Sequence, residues 1–251
     1  MRYFIEIAYN GKNYFGWQRQ PNDISVQQVL EETLSTLLRC EIKLTGAGRT
    51  DAGVHAKQLF AHFDFDEIDN IPVLIYKMNS FLPKDISVRN ILNVDSDSHA
   101  RFDAVAREYD YIISLKKDPF SETFAYQVRH KPDVELMNKA AETLLGHKDF
   151  QCFSRSKTDV KTYYCTITKA IWKEEDKKLI FTVSADRFLR NMVRAIVGTL
   201  LEVGYGKISL LEFQQILDSK SREEAGASAP AHGLYLTKVV YPEAVFLTNN
   251  Q

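Results

Sequence analysis

Cysteine is scarce in this chain of 251 residues: only Cys40, Cys152 and Cys165. An odd count, widely spaced and without a CxxC pair, excludes a disulfide framework and a cysteine-type zinc site. It points to the reducing cytoplasm. The six histidines (His55, His62, His99, His130, His147 and His232) show no HExxH or other ligand spacing, so no metal is expected. Long apolar runs are missing as well. None approaches the roughly 18 to 20 residues that a bilayer-crossing helix needs. The opening MRYFIEIAYN alternates and carries Glu6, unlike a secretory signal. P-loop, GxGxxG and GxSxG patterns are absent, which removes the usual nucleotide, dinucleotide and esterase classes. Charge of one sign is also lacking. The formal net charge is −1, so indiscriminate coating of nucleic acid is not expected.

What is present is the composition of a folded protein, 45% hydrophobic and 26% charged. The length allows one large domain or two of about 125 residues. Split along the chain, the charge is uneven. Residues 61–110 hold five basic and ten acidic side chains, whereas residues 148–194 hold eleven basic and six acidic. A polyanion would therefore meet a local basic groove. Solvated helix and strand faces account for the same counts.

Tyr3, Ile5, Ile7 and Tyr9 alternate with Phe4, Glu6 and Ala8 as a strand, and Asn10–Asn13 has turn chemistry. Ser25 opens a helix, with Gln28 at capping-box spacing and a stripe of Val26, Val29, Leu30, Leu34, Leu37 and Leu38. Residues 43–48 and 57–65 read as strands around a glycine-rich turn, the second half-buried by its alternation. A short helix near 71–79 and a strand at 86–94 complete a β-α-β-β-α-β run. The second part follows with strands at 103–115 and near 123–129 and a helix over 133–145 stopped by Gly146 at C′. A hairpin of 162–173 and 178–185 comes next, then helices over 186–203 and 209–218 and a strand over 234–241. Such a mixture predicts an α+β fold with a mostly antiparallel sheet flanked by helices. Two ferredoxin-like halves fit it, residues 1–100 and 101–251.

The densest constellation is Gly46-Ala47-Gly48-Arg49-Thr50-Asp51-Ala52-Gly53-Val54-His55-Ala56. Small neighbours let a ligand approach its backbone, and a carboxylate there can act as nucleophile or base. An Asx-turn capped by Asp51 is the plain structural alternative. Tyr14-Phe15-Gly16-Trp17-Gln18-Arg19-Gln20 could stack on bases or simply fill a core. In Arg107-Glu108-Tyr109-Asp110-Tyr111 the two tyrosines share a strand face. On a helix over 186–203, Arg187, Arg190 and Arg194 would lie within about 60° of one another. Arg194 borders the apolar side, where a buried guanidinium wants a carboxylate. Arg187 and Arg190 fit either a phosphate-facing or a merely solvated stripe.

Taken together, these blocks resemble the tRNA pseudouridine synthase A family over nearly the whole chain. The blocks are Tyr14–Gln20 with Val26-Gln27, Gly48–Ala56, Arg107–Tyr111, Leu144–Phe150, Phe188–Arg194 and Ala229–Leu236. Asn10, where the family often has Asp, and Arg187, where a small residue is common, are departures outside the Gly48–Ala56 signature. The resemblance implies the pseudouridine synthase fold, with both ferredoxin-like halves sharing one sheet, a homodimer, and no cofactor or metal. It implies isomerisation of uridine to pseudouridine at nucleotides 38 to 40, in the anticodon stem-loop of tRNA. By the same carry-over Asp51 is the nucleophile, Arg194 its ion-pair partner, Tyr109 packs on the target base and Arg49 holds the flipped nucleotide. Arg190 is the candidate phosphate contact. Two other readings compete. A non-catalytic RNA-binding module leaves the Asp51 segment unexplained, and a small-molecule enzyme using Asp51 as base leaves the basic stretch without purpose.

Overall fold

The alternating start of the chain forms strand β1 (Arg2–Tyr9) in a computed structural model that describes residues 1–155 and 160–246. Helix α1 (Val26–Leu38) begins where Ser25, in extended backbone, accepts a hydrogen bond from the Gln28 amide at 3.2 Å. The reciprocal half of a capping box does not form there, because the Gln28 side chain donates to Glu32. Strand β2 (Thr45–Gly46) is a two-residue pairing onto the long β3 (His55–Asp64). Helix α2 (Ile71–Phe81) is capped by the Asn70 side chain and ends ahead of Pro83. Strand β4 (Ile86–Val94) follows.

By contacts the chain divides into two units. The first comprises Met1–Val105 and the chain from Leu236 onward, which includes most of β9 (Leu234–Val240). Within it the strands lie in the order β4–β1–β3–β9, with β2 also on β3. β1 is antiparallel to both β3 and β4. Ile5, Ile7, Leu59 and Phe63 join Val26, Leu30, Leu34 and Met78 in the core. The half-buried alternation expected of β3 is not found: Leu59, Phe60, Ala61, His62 and Phe63 are all buried. The reason is the end of the chain. Tyr241 packs edge-on to Phe4 and Phe60, with ring centroids 5.3 and 5.4 Å apart, and Phe246 joins the same cluster.

The second unit is Ala106–Tyr235. Strands β5 (Ala106–Ser114), β7 (Ile167–Glu175) and β8 (Lys178–Ala185) pair antiparallel in the order β5–β8–β7. The two-residue β6 (Tyr126–Gln127) runs parallel to β5. Asp176 and Lys177, both at positive φ, make the tight turn between β7 and β8. Helices α3 (Val134–Thr143), α4 (Met192–Gly204) and α5 (Leu210–Ser219) complete the unit. A full capping box, Ser209 with Glu212, starts α5. Nine strands and five α-helices among the described residues, paired mainly antiparallel, make this an α+β protein.

Gly146 is not a left-handed C′ residue. Helix α3 ends at Thr143, its C-cap residue Leu144 stays right-handed, and successive tight turns carry the chain on through His147. The helix expected over 186–203 begins only at Met192. Asp186 Oδ1 accepts from the amides of Thr166 and Arg187, holding that stretch open, and Asn191 sits in the left-handed region at φ 67°. Arg187 and Arg190 therefore precede the helix, and the three arginines do not form one helical stripe.

Candidate active site

Asp51 lies in the loop between β2 and β3, flanked by small residues as the sequence dictates. It is half-buried, Arg49 is exposed, and Thr50 between them turns inward and is buried. The Asp51 carbonyl accepts from the Val54 amide at 3.1 Å, closing a four-residue turn. Gly53, at φ 78°, occupies its third position, where a type II turn needs a left-handed residue. The segment from Gly11 to Trp17 lies directly against this loop. The amides of Trp17 and Gly53 bond the carbonyls of Thr50 and Tyr14 at 3.3 and 3.2 Å, and the Gly11 amide donates to His55 Nδ1 at 3.0 Å. A Cβ on Gly16 would sit 2.3 Å from the Thr50 carbonyl oxygen, so only glycine permits this approach. Trp17 is 2% exposed and Tyr14 7%, whereas Phe15 is 52% exposed. Most of the aromatic stretch is thus core beneath the loop. Tyr14 donates to Asp85 at 2.6 Å; burial, and then that carboxylate, raise its phenol well above the ordinary range.

The remaining candidate residues belong to the second unit. Tyr109, half-buried on β5, meets the ring of Phe188 edge-on at 5.1 Å. Tyr111, two residues on, is wholly buried and donates to the Pro230 carbonyl at 2.8 Å. Arg194 is half-buried in the first turn of α4 and donates from Nε to the Ala229 carbonyl at 2.7 Å; the Ala229 amide returns a bond to the Arg194 carbonyl. Burial raises the Tyr111 phenol and lowers His232, and the Arg194 guanidinium also acts on both, so its charge lies close to them. Arg190 is exposed, with its carbonyl bonded by the Arg155 amide.

Sequence reasoning missed the supports of this second group. Gly198 lets residues 227–229 lie on α4: a Cβ there would come within 1.8 Å of the Ala227 carbonyl oxygen. Arg222 holds the same segment through Ala225, Gly226 and Ser228, and Asn191 bonds Ser228 at 2.6 Å. No spacing in the sequence links these positions. Among the described residues no cluster of His, Cys, Asp and Glu could hold a metal, and no helix is long and apolar enough to cross a membrane.

Comparison with known proteins supplies the deciding observation. A family profile described as tRNA pseudouridine synthase matches residues 6–103 and 140–242. The chain belongs to that family. A tRNA pseudouridine synthase A of Parabacteroides distasonis is 50% identical over 246 residues, covering 98% of each chain. One from Bacteroides fragilis is 50% identical over 247 residues, again at 98% of each chain. A more distant one from Halalkalibacterium halodurans is 44% identical over 237 residues, 92% of this chain and 89% of its own. The family is one of isomerases. The matched segments hold Arg49, Asp51, Arg190 and Arg194; Tyr109 falls in the interval between them.

Proposed function

We propose that this protein converts uridine to pseudouridine at nucleotides 38 to 40 of tRNA, in the anticodon stem-loop, with Asp51 as nucleophile. One observation carries the reading: a half-exposed carboxylate on a glycine-rich turn whose backbone is tied down on both sides. The reaction breaks the C1′–N1 bond, turns the base and forms C1′–C5. The C5 proton is lost and N1 gains one, so the change is redox-neutral. Attack at C1′, attack on the base and assisted elimination each require a carboxylate, the form an aspartate ordinarily has at pH 7. A uridine within a stem must first leave the stack, at a few kcal/mol. Tyr109 packs on the extruded base, and Arg49 holds the flipped nucleotide. Arg194 supplies the cation for Asp51, and Arg190 contacts phosphate.

Strand order supports the ferredoxin-like reading of the first half: β4–β1–β3–β2 is the sequence such a β-α-β-β-α-β unit adopts. The protein works as a homodimer in the cytoplasm, a placement in keeping with its tRNA substrate and three free cysteines. Tritium release from uridine C5 in transcribed tRNA tests the function. Wild type is expected to release it from substrates with uridine at 38 to 40, and Asp51→Asn to release none while still binding tRNA. Tight binding without release by the wild type would favour the RNA-binding module. Residual activity of Asp51→Asn within tenfold of wild type would remove Asp51 from its role.

A further inference from the structure

Tyr9 ends strand β1, 42 residues before Asp51, and no motif connects it with the chemistry. Its ring is 4% exposed and stacks on Trp17, centroids 6.5 Å apart. Its hydroxyl lies 2.8 Å from Thr50 Oγ1, in a buried bond that either atom can donate. Thr50 immediately precedes Asp51 and turns inward while Arg49 faces solvent.

The strand pairing is modified at this level. The register between β1 and β3 shifts from Ile7↔Leu59 to Tyr9↔Ala56, which sets Lys57 and Gln58 against Ala8. A bulge of this kind re-aims side chains and recurs beside active sites. The backbone of the Asp51 turn is fixed by Trp17, Tyr14 and the Asp51–Val54 bond. The Tyr9 hydroxyl is the side-chain tie on the residue whose dihedrals set the direction of the Asp51 side chain.

We propose that Tyr9 is a positioning residue for the reaction, acting through the Thr50 hydroxyl to hold Asp51 in its productive orientation. This rests on the reading of Asp51 as nucleophile. A reacting group must be held to within about 0.5 Å, and small displacements cost large factors in rate. Loss of the bond therefore slows the chemical step and leaves tRNA affinity alone, because neither hydroxyl faces solvent.

The test uses the full chain and measures single-turnover tritium release at saturating enzyme, with tRNA affinity measured separately. Tyr9→Phe and Thr50→Val are each expected to slow release by roughly ten- to a hundredfold, with the dissociation constant within about twofold of wild type. Thr50→Ser keeps the hydroxyl and should stay within about threefold of the wild-type rate. The double variant should be no slower than the slower single one, since both changes break the same bond. The inference is overturned if Tyr9→Phe reacts at the wild-type rate, if affinity falls in step with rate, or if Thr50→Ser is as slow as Thr50→Val. Should Tyr9→Phe fail to fold, the Thr50 pair decides by the same readings. Asp51→Ala is the control for the underlying assignment. If it still releases tritium the nucleophile is misassigned, whereas an inactive Asp51→Ala beside a fully active Tyr9→Phe removes only the positioning role.

Discussion

Arg194 occupies a position that electrostatics disfavours. A cation in the first turn of a helix opposes the helix dipole by about 0.3–1 kcal/mol, and Arg194 is the third residue of α4. The bond from its Nε to the Ala229 carbonyl fixes the side chain there. Such a residue is better explained by what its charge does than by helix stability. Arg194→Met, which keeps most of the volume, is expected to lower kcat by roughly a hundredfold with a much smaller change in tRNA affinity. Arg194→Lys should recover only part, since an ammonium lacks the planar fork. Single-turnover rates and filter binding separate the two effects. His62 offers a second single-residue test. It is buried, accepts the Ala100 amide on Nδ1, and is held near pKa 4, first by burial and then by the neighbouring His99. In the unfolded chain it titrates near 6.5. Between those values the unfolded state binds more protons, so stability is full above about pH 6.5 and is lost as pH falls toward 4. The thermal midpoint should drop between pH 7 and pH 5. His62→Asn, which keeps an acceptor, should show a flatter pH dependence from a lower starting point.

Helix ends show where local rules are obeyed and where they are not. Helix α1 terminates on Arg39 at φ 57°, a left-handed conformation that glycine adopts without strain. Arg39 is exposed. Arg39→Gly is therefore expected to stabilise the protein by about 0.5–1 kcal/mol, read as a raised urea midpoint. The elements most legible in the sequence were β1, whose alternation runs from Tyr3 to Tyr9, and β4, whose bounds agree with the expectation although Arg89 and Asn90 are both exposed where its register to β1 shifts. The start of α4 was not legible. Leu189, Met192, Val193 and Ile196 continue one apolar spacing, while the feature that stops the helix is the left-handed backbone of Asn191. The candidate site divides in the same way. Asp51 stood out as a candidate because its neighbours are small, a local property, and the role expected of it came from the family resemblance of Gly48–Ala56. The Tyr9–Thr50 bond was not, because it joins residues 41 apart. Whether Tyr14 and Trp17 were stacking platforms or core could be decided only by their burial beneath the loop.

At the scale of the whole chain, the first unit is discontinuous: its sheet uses both the beginning and the end of the sequence. Strand β9 pairs with β3, the Val239 amide donates to Gln58, and Tyr241 bonds the Ala100 carbonyl while its ring fills the cluster around Phe4 and Phe60. Tyr241→Ala should cost on the order of 3–5 kcal/mol, the usual range for removing a buried aromatic. Urea unfolding would register that loss, and a fluorescence reporter placed in the first unit would show it to arise there.

The same connectivity has a consequence in time. As a path, the second unit is an insertion of 130 residues, Ala106–Tyr235, between two parts of the first. The chain from the end of β3 at Asp64 to the start of β9 at Leu234 is about 170 residues long, so at about 5–20 residues per second of synthesis the edge of β3 waits roughly 9–34 seconds for the strand that covers it. During that interval an unpaired edge and the apolar faces of Phe4 and Phe60 stand open on the nascent chain, the kind of surface that chaperones bind and that joins chains wrongly. A circular permutant that links the two ends of this sequence and opens between Val105 and Ala106 would make the first unit contiguous and abolish the wait.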